Sequence, residues 1–597
     1  MKNQPNTDDE RETVKIAHLF AKDSRLPIAL EYGVVTIAAL ALAASYGLNY
    51  GVDNQVVYFL KSLTVADPSL LHADWFTHQT TQYHRVFIYF GALLLKLNKH
   101  GWAVGISQFL LVLVGALLIY RLVKRIAGGG QAVAAYLILL SMLFLTRTSS
   151  VATSYLFDTI LQPSTLGALG SIAGMVFFVE ERWFESGVCL ALGGAFHANY
   201  LVLSYPIFGL AHLSLGFKDL KRRLIAQFAP LLVVTLALSP VLLAASHTKA
   251  SPEAQEILFR VRSPHHYNPQ RFERNFMPFA AWQLLGIGSG WLLHRTANGR
   301  RLGAIICGLM LTIWTGTLLT TLYQVPKVNQ IFVWRLAPNL DLLSQILIAC
   351  ALAQALAKPK ITRLYPGVAI GLMAAGLGVF GLFFHGKEEA PVPQLLLTFL
   401  SVVLIARGLD LALDLASRLL PARAALFADA KRAFVVVPFL LGAYELYLEA
   451  PYRVLQAQDR STLLKEERGA TADLYRFLRE RTPKDALFLT PPDMEGARYL
   501  GERAIVVDWK AVPLIPTELL TWYERLCDVT GRHVSSSRDL GGYGSLDPER
   551  LALLVSKYHP DYLVLRRGAE SRFSELPTVY QNGGYSVLKI AAEGSKP

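Results

Sequence analysis

Long apolar segments separated by short polar stretches dominate the chain. A transmembrane helix needs about 20 predominantly apolar residues to cross roughly 30 Å of hydrocarbon, and many segments here approach that length with few or no charges. The pattern predicts an α-helical polytopic membrane protein with about 13 transmembrane helices. The predicted spans are residues 28–48, 102–122, 131–146, 160–179, 185–198, 200–215, 224–245, 279–294, 302–323, 331–355, 366–385, 393–408 and 433–450.

The distribution of Lys and Arg predicts the orientation of these spans. Cytoplasmic loops of membrane proteins carry an excess of basic residues. With residues 1–27 as a cytoplasmic N-terminal segment, all seven regions on that side are basic. This count requires that 85–99, which is too short to cross, forms an interfacial helix within a first outer loop of 49–101. We expect a multi-pass protein of the bacterial inner membrane whose first helix is retained.

Composition excludes several other classes. The 597 residues are 53% hydrophobic and 17% charged, with a net charge of +13. Because the positive charge lies in short loops between spans, it indicates membrane topology and no nucleic-acid partner. The four cysteines form neither a disulfide framework nor a metal-binding pattern. Phosphate-binding glycine loops and hydrolase motifs do not occur in their required context, so nucleotide chemistry is not supported.

The chain changes character after the last predicted span. Residues 28–450 form the membrane domain, whereas 451–597 alternate between predicted helices and strands. Such alternation predicts a small α/β domain, which the charge pattern places outside the cytoplasm. Its predicted helices are 471–482, 516–529 and 548–557, and its predicted strands are 485–493, 503–509, 561–567 and 584–590.

Three aspartates are expected on the outer face. Asp53 follows the first span, Asp74 lies in the aromatic sequence HADWF, and Asp158 precedes the predicted span at 160–179. A carboxylate at the edge of hydrocarbon is costly unless it is solvated, paired or bound to metal. The three could act as a base with orienting partners, or Asp53 and Asp158 could hold a divalent metal such as Mg or Mn. The alternative is a set of solvated loop residues.

A second outer loop is unusually rich in Arg, His and Tyr. The sequence LFRVRSPHHYNPQRFERN begins at Leu258. Basic residues on the outer side oppose the usual topology rule, and the Arg fork suits phosphate oxygens. The interpretation is recognition of a lipid phosphate or pyrophosphate, with ordinary headgroup contacts or pairing with the aspartates as alternatives. The candidate binding residues are Arg260, Arg262, His265, His266 and Tyr267.

Polar residues inside two apolar runs complete the candidate site. His197 and Asn199 lie near the outer end of one span, and Arg335 lies in the outer half of another. Ionisable groups within membranes usually face the bundle interior or a wet cavity. We expect His197 and Asn199 to line a cavity and Arg335 to contact the donor, with helix packing as the equal alternative.

This plan resembles the GT-C superfamily of membrane glycosyltransferases. The resemblance consists of one helix before a long acidic outer loop, two close helices joined by YRLVKRIAGGG, and a C-terminal α/β domain. RSPHHY and TPPDMEG…AIVVDWKAVP are also similar to a family of bacterial membrane proteins with this plan. The resemblance implies that Asp53 acts near the acceptor or metal and that Asp158 is a second site residue. It is incomplete at Asn54, where GT-C enzymes usually carry a second acid.

The resulting hypothesis is sugar transfer from a polyprenyl-phosphate donor to an acceptor on the outer face, in cell-envelope glycan or glycolipid synthesis. Hexosyl or pentosyl transfer would both fit, and membrane lipids are the other expected partners. The alternative is a non-catalytic transporter of lipid-linked glycans or an envelope-assembly protein, which would use the same basic loop.

Overall fold

The computed structural model describes residues 27–128, 131–145, 150–247, 251–293, 296–322, 326–357 and 469–590, with scattered positions between 412 and 464. Ten helices in these ranges coincide with the first ten predicted spans. They are Ile28–Ala44, Trp102–Ala127, Ala132–Leu145, Pro163–Val179, Trp183–Phe196, Ala198–Ser214, Leu220–His247, Glu273–Leu293, Ala297–Leu322 and Ala337–Ala357. The predicted spans 366–385, 393–408 and 433–450 and most of the N-terminal segment lie outside the described residues.

Within the described residues, three helical stretches meet strict length and hydropathy limits for crossing a membrane: Trp102–Ala127, Leu220–Pro240 and Ala297–Leu322. Helices Ile28–Ala44, Pro163–Val179 and Trp183–Phe196 are apolar but shorter. The predicted helical architecture is therefore confirmed over these ranges, while the number of true crossings stays a prediction.

Glycines allow two of these helices to pack closely. A Cβ on Gly170 would lie 2.6 Å from the Gly193 Cα, so a side chain there would collide with the neighbouring backbone. Small residues at helix contacts permit this approach in membrane bundles. Helices Pro163–Val179 and Trp183–Phe196 therefore form a tight pair beneath the loop that carries Asp158.

The short apolar segment of the first loop forms helix Arg85–Leu97. At about 1.5 Å per residue, a helix of this length cannot cross the hydrocarbon region. It buries Phe87, Leu94 and Leu95 and exposes apolar side chains such as Tyr89 and Leu97. An apolar face left exposed beside a buried one suits the predicted interfacial position.

The C-terminal residues form a five-stranded mixed sheet with strand order β2-β1-β3-β5-β4. The strands are β1 (Leu487–Leu489), β2 (Ala504–Ile505), β3 (Tyr562–Arg566), β4 (Thr578–Gln581) and β5 (Tyr585–Lys589). The β1 strand pairs in parallel with β2 and β3, whereas β5 is antiparallel to β3 and β4. Helices Ala470–Arg481, Pro516–Thr530 and Pro548–Tyr558 follow the predicted helical ranges, which confirms an α/β fold.

Two of the predicted strands are longer than the observed ones, and one observed strand was not predicted. The predicted strand 503–509 contains only the two residues of β2, because Asp508 turns away to accept a hydrogen bond from Ala511 N at 2.6 Å. The predicted strand 485–493 shortens to β1 because Pro491 and Pro492 lack the N–H groups that a ladder requires. The β4 strand was not predicted, since its side chains are mostly exposed and show no apolar alternation.

The α/β domain packs directly onto loops of the membrane domain. Ile257 and Ala254 share a core with Trp522 and Leu489. Phe59 and its neighbours in the first loop share another with Tyr499. The domain is therefore continuous with both predicted outer loops, and their polar residues meet at its surface.

Candidate active site between the first loop and the α/β domain

Asp53 forms an ion pair with a lysine of the α/β domain. The Asp53 Oδ1 lies 2.7 Å from the Lys510 Nζ, and the same ammonium lies 3.7 Å from Glu495 Oε2. The Asp53 side chain is 60% exposed, whereas Lys510 is 19% exposed. The Asp53 backbone has φ +49°, a conformation that Asp tolerates better than most residues. The carboxylate therefore stays open to solvent on one side while a cation covers the other.

Asp158 lies close enough to Asp53 to be affected by its charge. Its Oδ2 accepts a hydrogen bond from Gln162 Nε2 at 2.6 Å, and its Oδ1 accepts one from Thr159 N at 2.7 Å. Burial raises the pKa of Asp158 to about 6, and the Asp53 carboxylate adds to this rise. The pair therefore holds two acids in different environments, a pattern that often marks acid–base sites.

Arg262 connects the second loop to the backbone beside Lys510. Its Nε donates to Trp509 O at 2.9 Å and its Nη2 donates to Lys510 O at 3.2 Å. The guanidinium also lies 5.2 Å from the centre of the Trp509 ring. The two predicted loops thus converge, since Asp53 and Arg262 both contact Lys510. Two of its five N–H donors are used on carbonyl groups, so Arg262 holds the backbone at Lys510, and its predicted contact with a phosphate stays a prediction.

Arg335 has a different environment. Its guanidinium lies 4.5 Å from the Phe332 ring centre, and its buried Nε has no hydrogen-bond partner. Among the described residues, no carboxylate forms an ion pair with it. Asp341, six residues on, accepts a hydrogen bond from Ser150 Oγ at 2.6 Å. A partly buried guanidinium with an unsatisfied Nε and no carboxylate partner among the described residues can offer hydrogen bonds to an anionic ligand, so we take Arg335 as the best candidate for that contact.

The Tyr58 side chain is influenced both by Arg335 and by the two aspartates Asp53 and Asp158. Burial raises the pKa of its hydroxyl, and the charges of Arg335, Asp158, Lys510 and Asp53 all act on it. Its ring contacts His84, whose ring in turn lies 4.9 Å from that of His197. Tyr58 therefore lies within electrostatic range of both the predicted donor residue, Arg335, and the predicted acceptor base, Asp53.

The histidines near Arg335 are uncharged at neutral pH. Burial lowers the pKa of His84 to about 4, and burial with the neighbouring His265 lowers the pKa of His266 to about 3. His266 Nδ1 lies 2.8 Å from Ala152 O and 3.0 Å from Thr153 Oγ1. The pKa of His265 is also lowered, mainly by burial and then by Arg262. These rings can donate or accept hydrogen bonds but add no positive charge.

The remaining predicted binding residues fall into three environments. Arg260 is 71% exposed and lies 3.3 Å from Glu256, one helical turn away, so it is a surface residue. Tyr267 is partly buried and stacks on Phe259. Asn199 Nδ2 donates to Ile331 O at 2.6 Å, which holds two segments together. His197 is buried and its Nδ1 has no hydrogen-bond partner among the described residues, while its predicted cavity-lining role stays a prediction.

Asp74 is the clearest correction among the predicted catalytic residues. Its Oδ1 accepts hydrogen bonds from Thr77 N and Thr77 Oγ1 at 2.8 and 2.7 Å, and its Oδ2 lies 2.7 Å from Arg498 Nε. The side chain is 0% exposed. An acceptor hydroxyl therefore cannot reach it. Asp74 caps a helix and anchors the α/β domain.

The described residues do not suit the predicted divalent metal. No group of three or more His, Cys, Asp or Glu side chains in the described part of the chain is arranged to hold an ion. The Lys510 ammonium also occupies Asp53 Oδ1. No step proposed below depends on a metal.

Sequence reasoning missed the partners that the α/β domain supplies. Lys510 and Glu495 complete the site, and Arg498 bridges Asp74 and Asp508 at 2.7 and 2.6 Å. These residues lie more than 400 positions from Asp53 and Asp74, so no local pattern pairs them. The stretches PPDMEG and DWKAVP, which are similar to a family of bacterial membrane proteins, contain Glu495 and Lys510, respectively.

Sequence and structure comparisons give the family context. Residues 85–246 match the model of the dolichyl-phosphate-mannose-protein mannosyltransferase family. Residues 469–529, which include Glu495, Arg498 and Lys510, match a domain of unknown function, DUF6798. No curated protein matches the chain significantly.

Two solved structures are similar to this chain at low sequence identity. ArnT from Cupriavidus metallidurans bound to undecaprenyl phosphate is 14% identical with a TM-score of 0.47, covering 96% of this chain and 99% of that chain. The apo oligosaccharyltransferase of Archaeoglobus fulgidus is 11% identical with a TM-score of 0.46, covering 90% of this chain and 70% of that chain. Neither similarity assigns a substrate or a residue's role. The mannosyltransferase match over residues 85–246 confirms the predicted resemblance to the GT-C superfamily of membrane glycosyltransferases.

Proposed function

We propose that the protein transfers a sugar from a polyprenyl-phosphate donor to a hydroxyl group of an acceptor at the outer face of the bacterial cytoplasmic membrane. The observation that carries this proposal is that Asp53, Asp158 and Arg335 all lie within electrostatic range of the Tyr58 hydroxyl, with Arg335 Nε lacking a hydrogen-bond partner. An exposed carboxylate and a partly buried cation that lacks a carboxylate partner among the described residues suit a reaction that removes a proton and releases an anion.

In the proposed reaction, an Asp53 oxygen accepts the proton of the acceptor hydroxyl. The acceptor oxygen forms a bond to the anomeric carbon of the sugar, and the bond from that carbon to the phosphate oxygen breaks. The electron pair leaves on the lipid phosphate. Charge that develops on this oxygen is stabilised by a nearby cation, which we assign to Arg335, while Asp158 orients the acceptor.

The proposed reaction takes place on the outer side of the membrane. The donor lipid lies in the membrane and needs no nucleotide, so the site must face the leaflet that presents the lipid phosphate. The basic loops predict a cytoplasmic N-terminus and an extracytoplasmic α/β domain. Helix Arg85–Leu97 lies within the first loop and has an exposed apolar face, which suits a site at the membrane surface.

Transfer by the purified protein tests the proposal. Incubation with a set of polyprenyl-phosphate sugars should release free polyprenyl phosphate, detected by mass spectrometry. Asp53→Asn should lower release by about 10²- to 10⁴-fold, the usual contribution of a general base. Asp67→Asn is the matched control, because Asp67 is another first-loop aspartate paired with a lysine of the α/β domain, Lys484, at 3.4 Å.

Two results would contradict the proposal. Full release by the Asp53→Asn protein would remove the base assignment. Movement of the intact donor across a vesicle membrane without any release of lipid phosphate would instead favour the alternative of a non-catalytic glycan transporter.

A further inference from the structure

Lys510 has a fixed backbone and two carboxylates within reach. Asp508 Oδ1 accepts a hydrogen bond from Ala511 N at 2.6 Å, and Asp508 Oδ2 lies 2.6 Å from Arg498 Nη1. On the other side, Arg262 binds the carbonyl groups of Trp509 and Lys510. The backbone is thus held from both sides, while the flexible side chain ends between Asp53 and Glu495.

The two carboxylates are unequal partners for this ammonium. The Nζ is 2.7 Å from Asp53 and 3.7 Å from Glu495, a distance at which a small rotation of the lysine side chain would exchange the two contacts. Burial raises the pKa of Glu495, and the Lys510 ammonium opposes this rise. A closer ammonium would therefore stabilise the charged form of Glu495, which makes Glu495 a suitable second counter-ion for Lys510.

In the described arrangement, Lys510 covers one oxygen of the proposed base. A base that is already bonded to an ammonium must lose that contact before it accepts a proton from a hydroxyl group. We propose that Lys510 is a positioning residue that moves from Asp53 to Glu495 and so uncovers Asp53 for the acceptor. This inference rests on the proposed role of Asp53 and adds that the α/β domain controls access to it.

Carboxylate labelling tests the exchange without a substrate. The full-length protein in detergent is treated with a water-soluble carbodiimide and glycine ethyl ester, and mass spectrometry follows modification of Asp53 over time. Exposed ion pairs are worth up to about 1 kcal/mol, or roughly fivefold in population. Lys510→Met should therefore raise the Asp53 labelling rate about two- to fivefold. Glu495→Gln should lower it about twofold or more, because Lys510 then stays on Asp53.

The other lysine–aspartate pair between the two regions is the control. Lys484→Met should raise labelling of Asp67, its partner at 3.4 Å, and leave Asp53 unchanged. Unchanged Asp53 labelling in Glu495→Gln would overturn the exchange, since a static pair does not depend on Glu495. Unchanged labelling in Lys510→Met would show that Lys510 does not cover Asp53 and would also overturn it.

The labelling result is separable from the transfer reaction. If the labelling rates follow the expectation but Asp53→Asn still transfers sugar, the ion-pair exchange stands and the proposed function fails. If Asp53→Asn loses transfer but Glu495→Gln labels at the wild-type rate, the function stands and the exchange fails.

Discussion

Two of the charged contacts between the first loop and the α/β domain have opposite properties. At the anchor contact, Asp74, Arg498 and Asp508 form a triad in which every side chain is at most 2% exposed. At the open contact, Asp53 is 60% exposed and shares Lys510 with Glu495. A buried and fully paired triad fixes geometry, whereas an exposed and shared pair can rearrange. The comparison teaches that aspartates 21 positions apart in one loop can lie in opposite environments, of which only the exposed one suits the chemical role that we propose for Asp53.

Breaking the anchor contact should have the largest effect on stability. Arg498→Met leaves the Asp74 and Asp508 carboxylates buried without a cation, and removal of one partner from a buried ion pair typically costs about 3–5 kcal/mol. We expect a corresponding loss in the free energy of unfolding, followed by tryptophan fluorescence in detergent, because Trp75, Trp509 and Trp522 lie in the affected core. A loss no larger than that of Lys484→Met, which breaks an exposed pair, would contradict this role.

Removing the guanidinium of Arg335 should mainly weaken binding of the lipid-phosphate donor. In Arg335→Gln the protein loses a guanidinium whose Nε has no partner, so the free energy of unfolding should not fall. A hydrogen bond to a charged group contributes about 1.5–3 kcal/mol, which corresponds to roughly a tenfold to hundredfold weaker binding of a polyprenyl phosphate. Equilibrium binding of that lipid measures the change, and Arg260→Gln, at an exposed residue, is the control. Equal affinity in the Arg335 and Arg260 variants would exclude Arg335 as the phosphate ligand.

The contrast between the two contacts also explains what the sequence could predict. The lengths of the apolar segments predicted the ten helices that coincide with spans. A segment inside a membrane must satisfy all its backbone hydrogen bonds internally, which a helix does. Asp53 and Asp158 were predicted because each follows or precedes a span. Asp74 was placed in the same group because its burial depends on Arg498, a partner 424 positions away. Lys510 remained unidentified for the same reason, although the DWKAVP stretch that contains it was noted.

The pH dependence of transfer should report on the acid beside Asp53. The pKa of Asp158 is raised to about 6, so its carboxyl group is protonated below that pH and charged above it. If its charge orients the acceptor, transfer should rise as the pH passes through about 6. Asp158→Asn should have a lower maximum and lack this ionisation in a plot of kcat/KM against pH. A variant with the wild-type profile would assign the ionisation to another group.

The same raised pKa has a consequence for stability. A native pKa above the unfolded value means that the native state binds more protons, so stability falls as the pH rises from about 4 to about 6. The Asn variant should therefore lose this part of the pH dependence of unfolding.

The smallest expected effect is the change in stability when the open contact is broken. Asp53→Asn removes a pair whose carboxylate is more than half exposed, and such pairs are worth less than about 1 kcal/mol. We expect an unfolding free energy within that range of the wild type, in contrast to the several kcal/mol lost in Arg498→Met. Lys510 keeps Glu495 as a partner in this variant, which limits the loss further. A large destabilisation by Asp53→Asn would make the open contact a second anchor and would remove the physical distinction between the two aspartates.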